Sequence, residues 1–120
     1  MFRKFILTAF IVSVLTVVIG SVLPAKDMPN PGISDKLAHV AAYAILALTG
    51  GVAFRGARPL LSLGAGLLLL GLSLEIAQAF IPGRSASGYD MLANTIGIAL
   101  GCTAFISIDK IINRRLRVLK

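Results

Sequence analysis

The chain has no tryptophan, one cysteine, two tyrosines and only five acidic residues among 120. A single cysteine excludes an intramolecular disulfide framework and a cysteine-based metal cluster. Charge as a whole is scarce. Asp, Glu, Lys and Arg make up 14% of the residues, against about 25% in an ordinary soluble domain. So little charge cannot solvate the surface of so small a domain. The net charge of +7 would suit nucleic acid, but no interleaved basic and aromatic surface pattern accompanies it, and no nucleic-acid partner is expected. What is abundant is apolar: 57% of the residues are hydrophobic, and they fall into long runs.

Four runs, Phe5–Leu23, Leu37–Phe54, Leu60–Ile81 and Met91–Ile108, reach the about 17–25 residues needed to cross a bilayer core. The first and last contain no formal charge, the second only His39 and the third only Glu75. Apolar residues surround each run, unlike the one-sided stripe of a surface helix. A spanning segment must satisfy its own backbone polar groups, which makes helices the natural assignment. The alternating strands of a membrane β-barrel are absent. The expected fold is therefore all-α: one domain over residues 1–120, an integral membrane bundle of four transmembrane helices with a short basic cytoplasmic C-terminal tail.

The joins carry turn chemistry. Pro24, Pro29, Pro31 and Gly32 break the chain after the first run, and Ser34 is placed to N-cap the second. Arg55-Gly56-Ala57-Arg58-Pro59 predicts a tight link, with Pro59 early in the third helix. Pro82 to Gly88 separates the third run from the fourth. A cleaved signal peptide is the alternative for the first run. Its 19 residues exceed a signal core of about 7–15, and Leu23-Pro24 before Ala25 is not a small-x-small site.

Charge then sorts the two faces. Arg3, Lys4, Arg55, Arg58, Lys110, Arg114, Arg115, Arg117 and Lys120 fall on one side. Lys26, Lys36 and Arg84 fall on the other, offset by Asp27, Asp35 and Asp90. The positive-inside rule places both termini in the cytoplasm. The tail from Asp109 to Lys120 mixes Ile, Leu and Val with Lys and Arg, which reads as an interfacial helix on anionic lipid.

Polar residues within the spans gather toward the opposite, outer end. Asp35, His39 and Tyr43 recur every four residues and share one face of the second helix. Glu75 and Gln78 lie three apart on the third, and Asp90 and Asn94 four apart on the fourth. Arg84, Ser85 and Ser87 fall in the connecting loop. An ionisable group at mid-bilayer costs at least ~2.5–3.5 kcal/mol, which favours a functional site. Glu75, read as about 10 Å below the outer helix end, should be protonated or paired with His39, Lys36 or Arg84. The bland reading is a structural cluster, although interhelical hydrogen bonds in membranes average only about 0.6 kcal/mol each. Taken singly, Lys36 reads as a snorkelling end residue, Tyr43 as an interfacial anchor, Asn94 as a helix bridge and Cys102 as inert. Gly97 and Gly101 form a G-x-x-x-G pair suited to close helix packing, which also leaves a homodimer open.

Three pieces of this pattern occur in order: Asp35-Lys36-x-x-His39-x-x-x-Tyr43, then Glu75-x-x-Gln78-x-Phe80-x-Pro82-x-Arg84-x-x-Ser87-x-x-Asp90, then Asn94-x-x-Gly97-x-x-x-Gly101. Together they resemble VanZ-like membrane proteins. The resemblance implies a multi-pass protein of the bacterial cytoplasmic membrane, in a family whose founding member is linked to low-level resistance to the glycopeptide teicoplanin. An effect on glycopeptide susceptibility is accordingly one expectation.

Two classes of function compete. In the first, the outward site binds or acts on a membrane lipid or lipid-linked envelope precursor. His39, Glu75 and Asp90 are then the candidate catalytic acid/base residues. Asp35, Lys36, Tyr43, Gln78, Arg84, Ser87 and Asn94 would contact substrate, Arg84 by its bidentate fork. No activated nucleophile stands out. One histidine with Glu75 and Asp90 gives weak support for a metal, so neither metal nor cofactor is expected. In the second class the protein is a non-enzymatic scaffold that binds lipid or a partner, and its polar cluster sets packing. Proton or solute movement is weaker than either, because the inner half of the spans has no polar path.

Overall fold

The structure is a computed structural model that describes residues 1–24 and 33–119. Among the described residues four α-helices follow one another: α1 (Phe2–Val22), α2 (Ile33–Phe54), α3 (Ala57–Gln78) and α4 (Gly88–Val118). All four are long and apolar enough to cross a membrane. Their sequential reversal puts both termini and the α2–α3 turn at one end of the bundle. The C-terminus of α1, the start of α2 and the α3–α4 connection lie at the other, the loop end.

The expected elements are present, with three shifts. Helix α2 begins at Ile33, so Ser34 lies inside the first turn and not ahead of it. Pro29, Pro31, Gly32, Lys26, Asp27 and Lys120 fall outside the described residues. Helix α3 stops at Gln78, three residues short of the expected Ile81. The chain there tightens into consecutive turns, Phe80 N–H to Ala77 and Ile81 N–H to Gln78, because Pro82 disfavours helical backbone in the residue before it. The basic tail is not a separate interfacial helix. Helix α4 runs unbroken for 31 residues, about 46 Å, well beyond a hydrocarbon core of about 30 Å. No proline or glycine interrupts it after Gly101, and Asn113 donates to Asp109 one turn back at 3.0 Å.

Helix α2 is the centre of the bundle. It packs along α4 in parallel, with residue n of α2 facing roughly n+54 of α4: Lys36 with Asp90, His39 with Asn94, Arg55 with Asp109. Small residues make this close approach possible. A methyl group on Gly97 would run into the Val40 carbonyl oxygen, and one on Gly101 into that of Ala44. The G-x-x-x-G face is therefore covered by α2 within the chain, and any dimer would need another surface. Tyr43, Leu46, Ala47, Leu67 and Ile98 form the core. Helix α1 buries no residue fully and leans on α2 through Phe10, Val14 and Val17.

Seven other hydroxyls in the spans have local answers. Thr8, Ser13, Thr16, Thr49, Ser73, Thr95 and Thr103 each donate to the carbonyl four residues earlier. That satisfies a hydroxyl without water, as lipid requires. At the turn between α2 and α3, Gly56 takes φ 128, which favours glycine, and Arg55 takes φ 22. Arg55 is held there by an ion pair to Asp109 at 2.7 Å. Pro59 occupies the first turn of α3, as expected.

Candidate functional site

The parallel register of α2 and α4 assembles one side of the site. Asp35, His39 and Tyr43 are stacked on α2 by the helical period, and Asp90 and Asn94 face them from the first turns of α4. Lys36 forms an ion pair with Asp90. His39 Nδ1 lies 2.8 Å from Asn94 Oδ1, and its Nε2 faces Asp35 Oδ1 at 4.0 Å. The Asn94 oxygen can only accept, so Nδ1 carries the hydrogen and Nε2 is turned toward Asp35. Asn94 is 1% exposed, which fixes the imidazole from a position that water does not reach.

Helix α3 closes the floor. Its Gly71 lets Asn94 and Tyr43 approach: a Cβ there would lie 3.0 Å from Asn94 Nδ2 and 3.2 Å from Tyr43 Oη. This glycine was not among the expected site residues. The signal available was a glycine at the depth of Tyr43 inside an otherwise leucine-rich span.

Glu75, Gln78 and Arg84 make contacts that the sequence does not announce. Glu75 sits in the last turn of α3, not deep within it, and none of the expected cations reaches it among the described residues. Its Oε2 instead accepts the backbone N–H of Ser87 at 2.9 Å, at the N-cap of α4. The carboxylate thus ties the end of α3 to the start of α4 and lies near the positive end of the α4 dipole. Gln78 Nε2 donates to the Ser21 carbonyl at 3.1 Å. Arg84 Nη1 donates to the carbonyls of Gly20 and Leu23 at 3.3 and 3.0 Å. Both side chains satisfy orphan carbonyls at the C-terminus of α1, where a cation also suits the dipole. Sequence patterns do not reveal such targets, because the acceptors are backbone atoms of a helix far away in the chain. Ser87 enters this network through its backbone.

Glu75 lends itself to a direct check. Glu75→Gln retains an oxygen that can accept the Ser87 N–H and should leave the fold nearly intact. Glu75→Ala leaves that donor without its partner and should cost about 1–3 kcal/mol. Thermal unfolding of the two variants in detergent, compared with wild type, reads the difference.

A cavity of about 190 Å³ opens between α1 and α2 at the loop end. Val17 and Gly20 of α1 and Ala38 and Ala42 of α2 give it apolar walls. Asp35, His39, Tyr43, Gln78 and Arg84 give it a polar lining. All of the expected polar residues thus fall at the loop end. They divide into an α2–α4 group around His39 and a group around Glu75 and Arg84 that joins α1, α3 and α4.

A family model described as VanZ/LLP1 matches residues 5–111. No curated protein and no solved structure matches the chain. The chain belongs to the VanZ/LLP1 family.

Proposed function

We propose that this VanZ-like membrane protein binds or acts on a cell-envelope lipid or lipid-linked precursor, entering from the outer face of the bacterial cytoplasmic membrane. The observation that carries the reading is the cavity between α1 and α2, whose apolar walls meet a polar lining of Asp35, His39, Tyr43, Gln78 and Arg84. An amphiphile needs that division: an acyl or isoprenoid chain along the helix pair and a headgroup at their ends. The basic residues at the termini end support an outward-facing loop end through the positive-inside rule. Arg84 spends Nη1 on the α1 carbonyls, and the rest of its five-donor fork suits a phosphate or carboxylate. His39 is the preferred proton-transfer candidate, since Asn94 holds its ring and Nε2 faces the cavity side. An effect on glycopeptide susceptibility would follow from altered envelope precursors. The amphipathic basic end of α4 would rest against anionic lipid on the cytoplasmic side.

The scaffold reading draws on a different observation. Glu75, Gln78 and Arg84 all make interhelical bonds, so part of the polar cluster serves packing. Native mass spectrometry of the protein in mild detergent separates the two. Wild type should retain a lipid that Ala42→Phe, which fills the cavity, releases. Equal lipid on both proteins would count against binding in this cavity and favour the scaffold.

A further inference from the structure

We propose that Asp35, His39 and Asp90 form a divalent-cation site, suited to Zn²⁺ or Mn²⁺, at the loop end of α2 and α4. One donor atom from each residue lies within 4.8 Å of the other two. Asp35 and His39 are adjacent on one face of α2, and the α2–α4 register brings Asp90 beside them. Two carboxylates and one imidazole are a donor set for borderline cations, and three protein ligands leave a coordination position open. Glu75 is not part of this group.

Two further features point to a cation. The hydrogen bond from His39 Nδ1 to Asn94 Oδ1 at 2.8 Å is the outer-shell contact that fixes a metal-binding imidazole, presenting Nε2 as the ligand. The charge of the cluster is also out of balance. Asp35 and Asp90 contribute two carboxylates, and the cation in ion-pair contact with Asp90, Lys36, contributes one positive charge. A divalent ion in place of the ammonium brings the three ligands to zero. Lys36 can leave: its side chain is already 42% exposed, and its flexible stem reaches toward the interface.

The proposal depends on the lipid reading only for what takes the open position, a phosphate oxygen or water. Metal binding itself can therefore succeed or fail independently. The test is titration of metal-stripped full-length protein in detergent with Zn²⁺ and, separately, Mn²⁺, followed by calorimetry. The expected result is saturable binding of one ion per chain. His39→Ala and Asp35→Asn should each weaken it at least about tenfold. Lys36→Gln should tighten it, because the competing ammonium is gone. Thermal unfolding with and without metal guards against misfolded variants: wild type should be stabilised by the ion, and a folded His39→Ala protein should not. Unsaturable binding, or affinity unchanged by both His39→Ala and Lys36→Gln, would overturn the site. Weaker binding in Lys36→Gln would do the same.

Discussion

Replacing Gly101 by valine is expected to deplete the membrane of folded protein. The α2 backbone lies against Gly101 so closely that even a methyl group would meet the Ala44 carbonyl oxygen, the Ala47 Cβ and the Leu48 nitrogen. Two of these are backbone atoms, so no side-chain rotation relieves the clash and the two helices must separate. Overpacking of a core costs about 1–3 kcal/mol when neighbours can adjust, and here they cannot. Separation would also pull Lys36 from Asp90 and His39 from Asn94, since one register aligns all three contacts. In lipid there is no hydrophobic drive to restore the packing, because tails are as apolar as the helices. Gly101→Ala should lower the unfolding temperature, and Gly101→Val should abolish accumulation. Gly66→Ala is the control: nothing lies within 4 Å of its Cβ position, and helix propensity alone favours alanine by up to about 1 kcal/mol. Membrane abundance and thermal unfolding in detergent read all three. Normal abundance of Gly101→Val would contradict the α2–α4 packing.

The second large effect is functional. Under the envelope-lipid function proposed above, Asn94→Leu should leave a folded bundle yet remove most of the effect on envelope lipids. Leucine has a similar branched shape, so the loss falls on His39, whose Nδ1–H no longer has its 2.8 Å partner. Where a histidine holds a metal, as proposed for His39, its outer-shell partner is worth about 10–100-fold in activity or metal affinity. His39→Ala should have the same effect, and the double variant should be no worse than either single one, because the pair acts as a unit. Additive losses would mean that the two residues work separately.

Much of this arrangement is legible in the sequence, and what is not has identifiable physical causes. Asp35, His39 and Tyr43, like Asp90 and Asn94, announce a shared face because the helical period aligns residues four apart. Their apposition across helices depends on Gly97 and Gly101, which the sequence marks as a packing pair without naming the partner helix. The sequence alone puts Glu75 too deep because Ala79–Ile81 are apolar and extend the hydrophobic run, while the backbone has already left the helix before Pro82. The interhelical bonds of Arg84 and Gln78 are not legible in the sequence because their acceptors, the carbonyls of Gly20, Ser21 and Leu23, carry no side-chain signature. The tail looked separable because its composition changes at Asp109, but a change of polarity without a breaker does not end a helix.

The central claim is that the His39 cluster at the loop end works on an envelope lipid. The most direct measurement is mass spectrometry of envelope lipids and cell-wall precursors from cells lacking the protein, cells with wild type, and cells with Asn94→Leu at matched membrane abundance. The account predicts a lipid or lipid-linked species that accumulates or disappears in the first strain and does so again in the third. A profile identical in all three strains, or an Asn94→Leu strain indistinguishable from wild type where the deletion differs, would contradict it.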